Sequence, residues 1–183
     1  MAKQFPEITQ EFKEFIEEQH IFFTGTAMKD GYVNISPKGM DSLRVIGANR
    51  IIWRNLTGSG NETASHLSKV NRMTLMWCAF DGKPLILRCY GKAKVYHNTD
   101  KEFTEWNALF PPSNGARQIF DVQIDLVQSS CGFAVPLMDY KADREILEKW
   151  AVNKGKEGIK EYWKEKNRIS MNGIESGIPV QEK

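Results

Sequence analysis

A mainly β domain of the α+β type is predicted, an antiparallel barrel, closed or nearly closed, with helices on its outside. Three observations predict it. Short β-type runs follow one another closely with turn residues between them, as in an antiparallel meander. The run Met73 to Phe80 is apolar on both faces, which calls for a covering on each side. Phe120, Val122, Ile124 and Leu126 alternate with Asp121, Gln123 and Asp125, the period of a strand with one dry and one wet face. A chain of 183 residues, 41% hydrophobic and 26% charged, is long enough for one well-buried core with at most an appendage.

The elements follow in order. Ile8, Phe12, Phe15 and Ile16 recur at helical spacing behind Pro6, so residues 7–19 read as an amphipathic helix. Strands are expected over 21–26, 32–36, 43–46 and 50–54, with turns at Asp30-Gly31, Pro37-Lys38-Gly39 and Ala48-Asn49. After the loop Gly58-Ser59-Gly60-Asn61, residues 62–70 place Thr63, Leu67 and Val70 on one helical face, with Asn61 or Ser59 as N-cap. Asp81-Gly82 turns the 73–80 strand into 85–90, which Gly91 joins to 93–96. Phe103, Trp106 and Phe110 mark a helix over 99–110 stopped by Pro111-Pro112. The alternation at 120–126 puts that strand at the sheet's exposed side. Two amphipathic helices, 143–153 and 157–166, break near Gly155.

Composition excludes several function classes. Lys+Arg of 25 against Asp+Glu of 23 is not the imbalance of a polyanion binder, so no nucleic-acid partner is expected. The N-terminus has no apolar signal region and no run reaches the ~18 residues of a membrane span, so a cytoplasmic protein without a membrane partner is expected. Cys78, Cys89 and Cys131 are scattered and odd in number, and His20, His66 and His97 form no ligand pair, so neither disulfides nor a metal site is expected. Cys131 has no neighbouring base to activate it, and Trp77 and Tyr90 read as core aromatics.

The chemistry concentrates between Asn34 and Arg88. In Gly58-Ser59-Gly60-Asn61-Glu62-Thr63, small residues directly precede a helix, where free backbone N–H groups and the positive end of the helix dipole can receive a phosphate. By spacing alone an ordinary N-capped loop is the stronger reading. Glu62 would repel a phosphate unless it points away or is offset by cations, for which Lys38 and Arg54 are the candidates.

The run Val33-Asn34-Ile35-Ser36-Pro37-Lys38-Gly39, then the Gly58 to Thr63 loop, then Leu85 to Gly91, in that order, resembles the pyridoxamine 5'-phosphate oxidase-like family of flavin-binding split barrels. The likeness runs from about Phe22 to about Pro136, and Asn167, Ser170 and Gly173-Ile174 are similar to the closing segment of one subgroup. It implies an antiparallel split β-barrel with flanking helices and a C-terminal helical segment, working as a homodimer with flavin mononucleotide (FMN) at the subunit interface. It further implies that Asn34, Ser36 and Lys38 line the flavin, that Trp53 and Arg54 flank it, and that Ser59, Gly60, Asn61 and Thr63 approach the phosphate or ribityl chain. Leu87 and Arg88 would reach it from the partner subunit. A barrel domain over 1–138 and a helical extension over 139–183 are expected, and the amphipathicity of its two helices alone suggests that the extension packs on the barrel and covers its groove.

Two departures bear on activity. Ser59-Gly60-Asn61 stands where the true oxidase has a basic Ser-Arg-Lys type segment, and no histidine follows Leu137, so the oxidase's Arg-x-His substrate element has no counterpart. The expectation is an FMN-dependent oxidoreductase acting on a small-molecule substrate or electron acceptor, and not pyridoxal phosphate synthesis. No side chain is singled out as catalytic. A non-enzymatic flavin-binding or redox-sensing module, or a barrel holding heme or a deazaflavin, is the alternative.

Overall fold

A computed structural model describes residues 2–180. Eight strands form one antiparallel sheet: β1 (Lys3–Phe5), β2 (Phe22–Thr26), β3 (Asn34–Lys38), β4 (Leu43–Gly47), β5 (Arg50–Leu56), β6 (Met73–Cys78), β7 (Ile86–His97) and β8 (Ala116–Ser130). The hydrogen-bonded order is β3-β2-β6-β7-β8-β5-β4, with β1 added to the far end of β8. Among the described residues no ladder joins β3 to β4, so the rolled sheet is open along that seam.

Helix α1 (Gln10–Glu18) begins later than Pro6 suggested, because Thr9 takes the N-cap and its hydroxyl accepts from the Phe12 N–H. Thr9→Ala should therefore cost about 1 kcal/mol of stability, read from the urea midpoint at unchanged slope. Phe12 and Ile16, the buried stripe of α1, join a core of Trp53, Leu75, Trp77, Leu87, Phe120 and Val122. Trp53 and Phe120 stack at 4.5 Å in its centre. Helix α2 (Glu62–Lys69) packs near β2 and β7, and α3 (Lys101–Asn107) covers a second cluster of Ile52, Tyr96, Phe103, Phe110 and Ile119.

Several elements differ from the sequence reading. Pro37 and Lys38 lie inside β3 and not in a turn; β3 is an edge strand, where a missing N–H costs no ladder bond. The strand buried on both faces is β5, with Trp53 inward and Ile52 under α3. On β6 the outward Thr74 and Met76 are only half-buried. β7 is a single 12-residue strand through Gly91, where the register shifts by a bulge. β8 has the predicted wet face, yet it is central, paired with both β5 and β7.

Past β8 the chain runs without regular structure to α4 (Ile146–Tyr162), which kinks at Gly155 (φ 65°) as the sequence break predicts and ends in a π-helical turn, Trp163–Asn167. Ala151, Ile159, Trp163 and Ile178 form their own apolar cluster. The tail is tied to the barrel by polar bonds, the Trp163 indole N–H donating to Thr57 Oγ1 at 2.9 Å.

Candidate functional site

At the open seam, β3, the end of β5, the N-terminus of α2 and the start of β8 surround a cavity of about 230 Å³. Asn34, Ser36, Lys38, Ser59, Gly60, Asn61 and Thr63, distant in sequence, all line it. Asn34 binds the walls together: its Nδ2 donates to Thr26 Oγ1 and to Thr63 Oγ1, both at 3.1 Å, and its Oδ1 accepts from Ser36 Oγ. Thr26 in turn contacts His66 Nδ1, whose other ring nitrogen meets Asn172 at 3.1 Å, so the buried histidine links this wall to the C-terminal tail.

The electrostatics favour an anion. Lys38 stands 5.5 Å from the Trp53 ring centre and has no carboxylate partner among the described residues. Burial, with the Arg117 charge adding in the same direction, pulls its ammonium down from 10.5 to about 8. Arg117 is 3% exposed and also without a carboxylate partner. Its Nη1 donates to Gly60 O at 2.9 Å and to Asn167 Oδ1 at 2.7 Å, while its Nε is buried with no partner. Burial lowers this guanidinium too, but from a value so high that it stays protonated at neutral pH. Asn61 occupies the N-cap position of α2 without a side-chain capping bond, and its own buried Oδ1 is unpaired. Two unpaired cations, an orphaned N–H and an uncapped helix start converge on one space, which suits a phosphate.

Glu62, the expected objection, is partly engaged by the tail: its Oε1 accepts from the Met171 N–H at 3.1 Å. Its other oxygen is buried and unpaired, so one negative charge faces two positive ones across the cradle.

The remaining sequence-derived residues lie elsewhere. Arg54 is turned from the cavity, donating to the Pro111 carbonyl and covering the Phe110 ring at 4.9 Å, because the residue after Trp53 must face the opposite side of β5. Trp53 is a core residue that backs Lys38. Leu87 is fully buried in the barrel core, and Arg88 donates to Ser130 Oγ on the outer face. Arg117, Asn55 and Asn167 belong to the site but were not assigned to it. Asn55 lines the cavity and donates to Gln118 Oε1, while Asn167 bridges Arg117 to Gly58 O. A lone arginine ahead of a strand has no signature of burial; only its register on β8 turns it inward. Asn167 was visible only as part of a closing segment.

Residues 8–131 match the sequence profile of the family described as pyridoxamine 5'-phosphate oxidase. A pyridoxamine 5'-phosphate oxidase family protein of Aspergillus flavus, ustO, is 29% identical over 187 aligned positions, covering 91% of this chain and 74% of that protein. In fold, the chain is similar to HupZ of Group A Streptococcus, with a TM-score of 0.52 at 19% identity over 65% of this chain and 91% of HupZ. It is similar also to a Lactobacillus delbrueckii protein provisionally described as a pyridoxamine 5'-phosphate oxidase, with a TM-score of 0.53 at 17% identity over 67% and 94% of the two chains.

Proposed function

Because this chain belongs to the pyridoxamine 5'-phosphate oxidase family, we propose that it is a flavoprotein which binds FMN and works as an oxidoreductase with a substrate other than pyridoxamine 5'-phosphate. The observation that supports this most is the pair of carboxylate-free cations, Lys38 and Arg117, facing the small-residue loop before α2. These residues fit a terminal phosphate. Lys38 and Arg117 would neutralise it, Ser59, Gly60, Asn61 and Thr63 would surround it, and Asn34 and Ser36 would hold the adjoining chain. Bound flavin supplies hydride or electron transfer, and the protein's share is to position, to exclude water and to set the local charge. The substrate reading rests on the loop Ser59-Gly60-Asn61, which stands where the true oxidase has a basic segment.

Absorbance of the purified protein, followed by identification of the released chromophore, tests the cofactor. FMN near one per chain is expected. Heme or a deazaflavin would be recognised by its spectrum, and a colourless protein that fails to take up FMN would overturn the reading. Consumption of reduced nicotinamide, or rapid reoxidation by an added acceptor, would distinguish an enzyme from a storage or sensing module.

The affinity should depend on pH in a stated direction. Free Lys38 loses its proton near pH 8, whereas a bound phosphate holds that proton in place. As Lys38 deprotonates, affinity falls by about tenfold between pH 7 and 9. The same depressed value makes charged Lys38 a burden on the ligand-free fold below pH 8, relieved as pH rises towards 10.5. In Lys38→Met the pH dependence of FMN binding should vanish, as measured by flavin fluorescence titration.

A homodimer through the outer face of β2, β3 and β6 accompanies the proposal. Phe23, Val33, Ile35, Met76 and Tyr90 border a shallow apolar depression of about 540 Å³ there, and Val33 and Ile35 are 67% and 68% exposed. Ile35→Asp should shift the particle mass in light scattering from two chains to one.

A further inference from the structure

A second, larger cavity of about 810 Å³ opens on the other side of Lys38, the residue it shares with the phosphate cradle. The volume lies within the range of about 300–1,000 Å³ found for small-molecule sites. The two cavities meet at Lys38, so a ligand in the larger one lies beside whatever the cradle holds.

The walls of the larger cavity are apolar and aromatic. Ile21, Met40, Phe80, Leu147 and Trp150 form the sides. His20 and Tyr140 stack face to face at 3.6 Å with 9° between their planes, joining the end of α1 to the segment between β8 and α4. That segment is irregular but anchored, since the Met138 N–H donates to Phe80 O at 2.8 Å at the end of β6. Met40 and Asp41, between β3 and β4, hold positive φ values of 60° and 48°, which side chains other than glycine adopt at a cost that accompanies ligand sites. The rings of His20, Phe80, Tyr140 and Trp150 in this lining select a flat ligand by stacking and area burial.

Charge at the mouth narrows the class. Glu18, Asp81, Asp139 and Asp143 outnumber the cations Lys38 and Arg144, and the four carboxylates are exposed at the rim. Four carboxylates against Arg144 alone disfavour a dianionic phosphate in this cavity, because Lys38 is committed to the cradle. We infer that the cavity between the α1 end, the 138–144 segment and the start of α4 is the substrate site, and that it takes a planar aromatic molecule without a phosphate group, neutral or cationic. The inference rests on the reading of the smaller cavity as the cofactor's phosphate site.

Equilibrium dialysis of FMN-saturated protein against 2-naphthol and against 2-naphthyl phosphate tests it, since the two probes differ only in the phosphate. Retention of 2-naphthol at about one per chain is expected, with the ester held at least tenfold more weakly. Tyr140→Ala, at a half-exposed position in a loop, should reduce 2-naphthol retention at least fivefold while the far-ultraviolet circular dichroism and FMN content stay the same. Asp81→Lys combined with Asp139→Lys should bring the ester's affinity up to that of the alcohol. Equal or stronger retention of the ester by the unaltered protein, or retention of 2-naphthol untouched by Tyr140→Ala, overturns the inference. FMN retained without 2-naphthol removes the substrate site and leaves the flavin reading standing. If 2-naphthol is retained and FMN is not, the flavin reading falls and the substrate role falls with it.

Discussion

Arg117→Met should weaken FMN binding about 100-fold, with little change in the melting temperature of the ligand-free protein. Hydrogen bonds from a charged donor contribute about 1.5–3 kcal/mol each, and Arg117 offers an unused buried Nε in addition to its charge. The stability of the ligand-free form is a balance. Methionine relieves a guanidinium that is desolvated without a carboxylate partner, but it leaves Gly60 O and Asn167 Oδ1 without their donor. The two terms oppose, whereas both losses act together on the ligand. Flavin fluorescence titration beside thermal unfolding separates them. A variant that melts many degrees lower and binds in proportion to its folded fraction would make Arg117 a structural residue only. Arg117→Lys should recover part of the affinity, because the charge returns without the forked geometry.

Gly91→Ala should be the most damaging single change in the fold, costing about 3 kcal/mol or more. A Cβ built at this position would stand 2.1 Å from the carbonyl oxygen of Gln123 and 3.1 Å from Ile124 Cα. These are backbone atoms of β8, paired with β7 through the bulge between Tyr90 and Gly91, so neither can swing aside as a side chain would. The two longest strands would have to separate at the middle of the barrel. Gly47→Ala is the control: its Cβ would find only Arg50 Cβ, at 4.0 Å, and the cost should stay within about 0.5 kcal/mol. Urea unfolding followed by tryptophan fluorescence reads both.

The anonymity of Arg117 in the sequence has a physical origin. An arginine flanked by Ala116 and Gln118 is normally solvated, and its burial follows from Asn167, some fifty residues on, folding back to accept its hydrogen bond. Lys38, by contrast, was legible because Ser36, Pro37 and Gly39 surround it in a recognisable run, even though the chain there is an edge strand and not the turn that proline and glycine suggested. Arg54 shows the opposite outcome. Its neighbour Trp53 faces the core behind Lys38, and the two-residue period of β5 then forces Arg54 to the other side, towards Phe110 and Pro111. The sheet face decides this, and a list of residues near a motif does not contain it.

What the sequence by itself determined is local and periodic: the antiparallel strands with most of their turns, the stripe of α1, the small-residue loop before α2, the wet face of β8 and the break at Gly155. Each rests on residues within a few positions of one another, where spacing dictates which side chains share a face. Only the tertiary structure decided that β5 is the strand covered twice, that β8 is central, and that Arg117, bonded to Asn167, lines the cavity before α2. It also decided that a second, aromatic cavity adjoins Lys38. Those facts depend on which strands pair and on where the tail returns, contacts between residues up to about a hundred positions apart, and no local pattern encodes the distances at which burial and charge act.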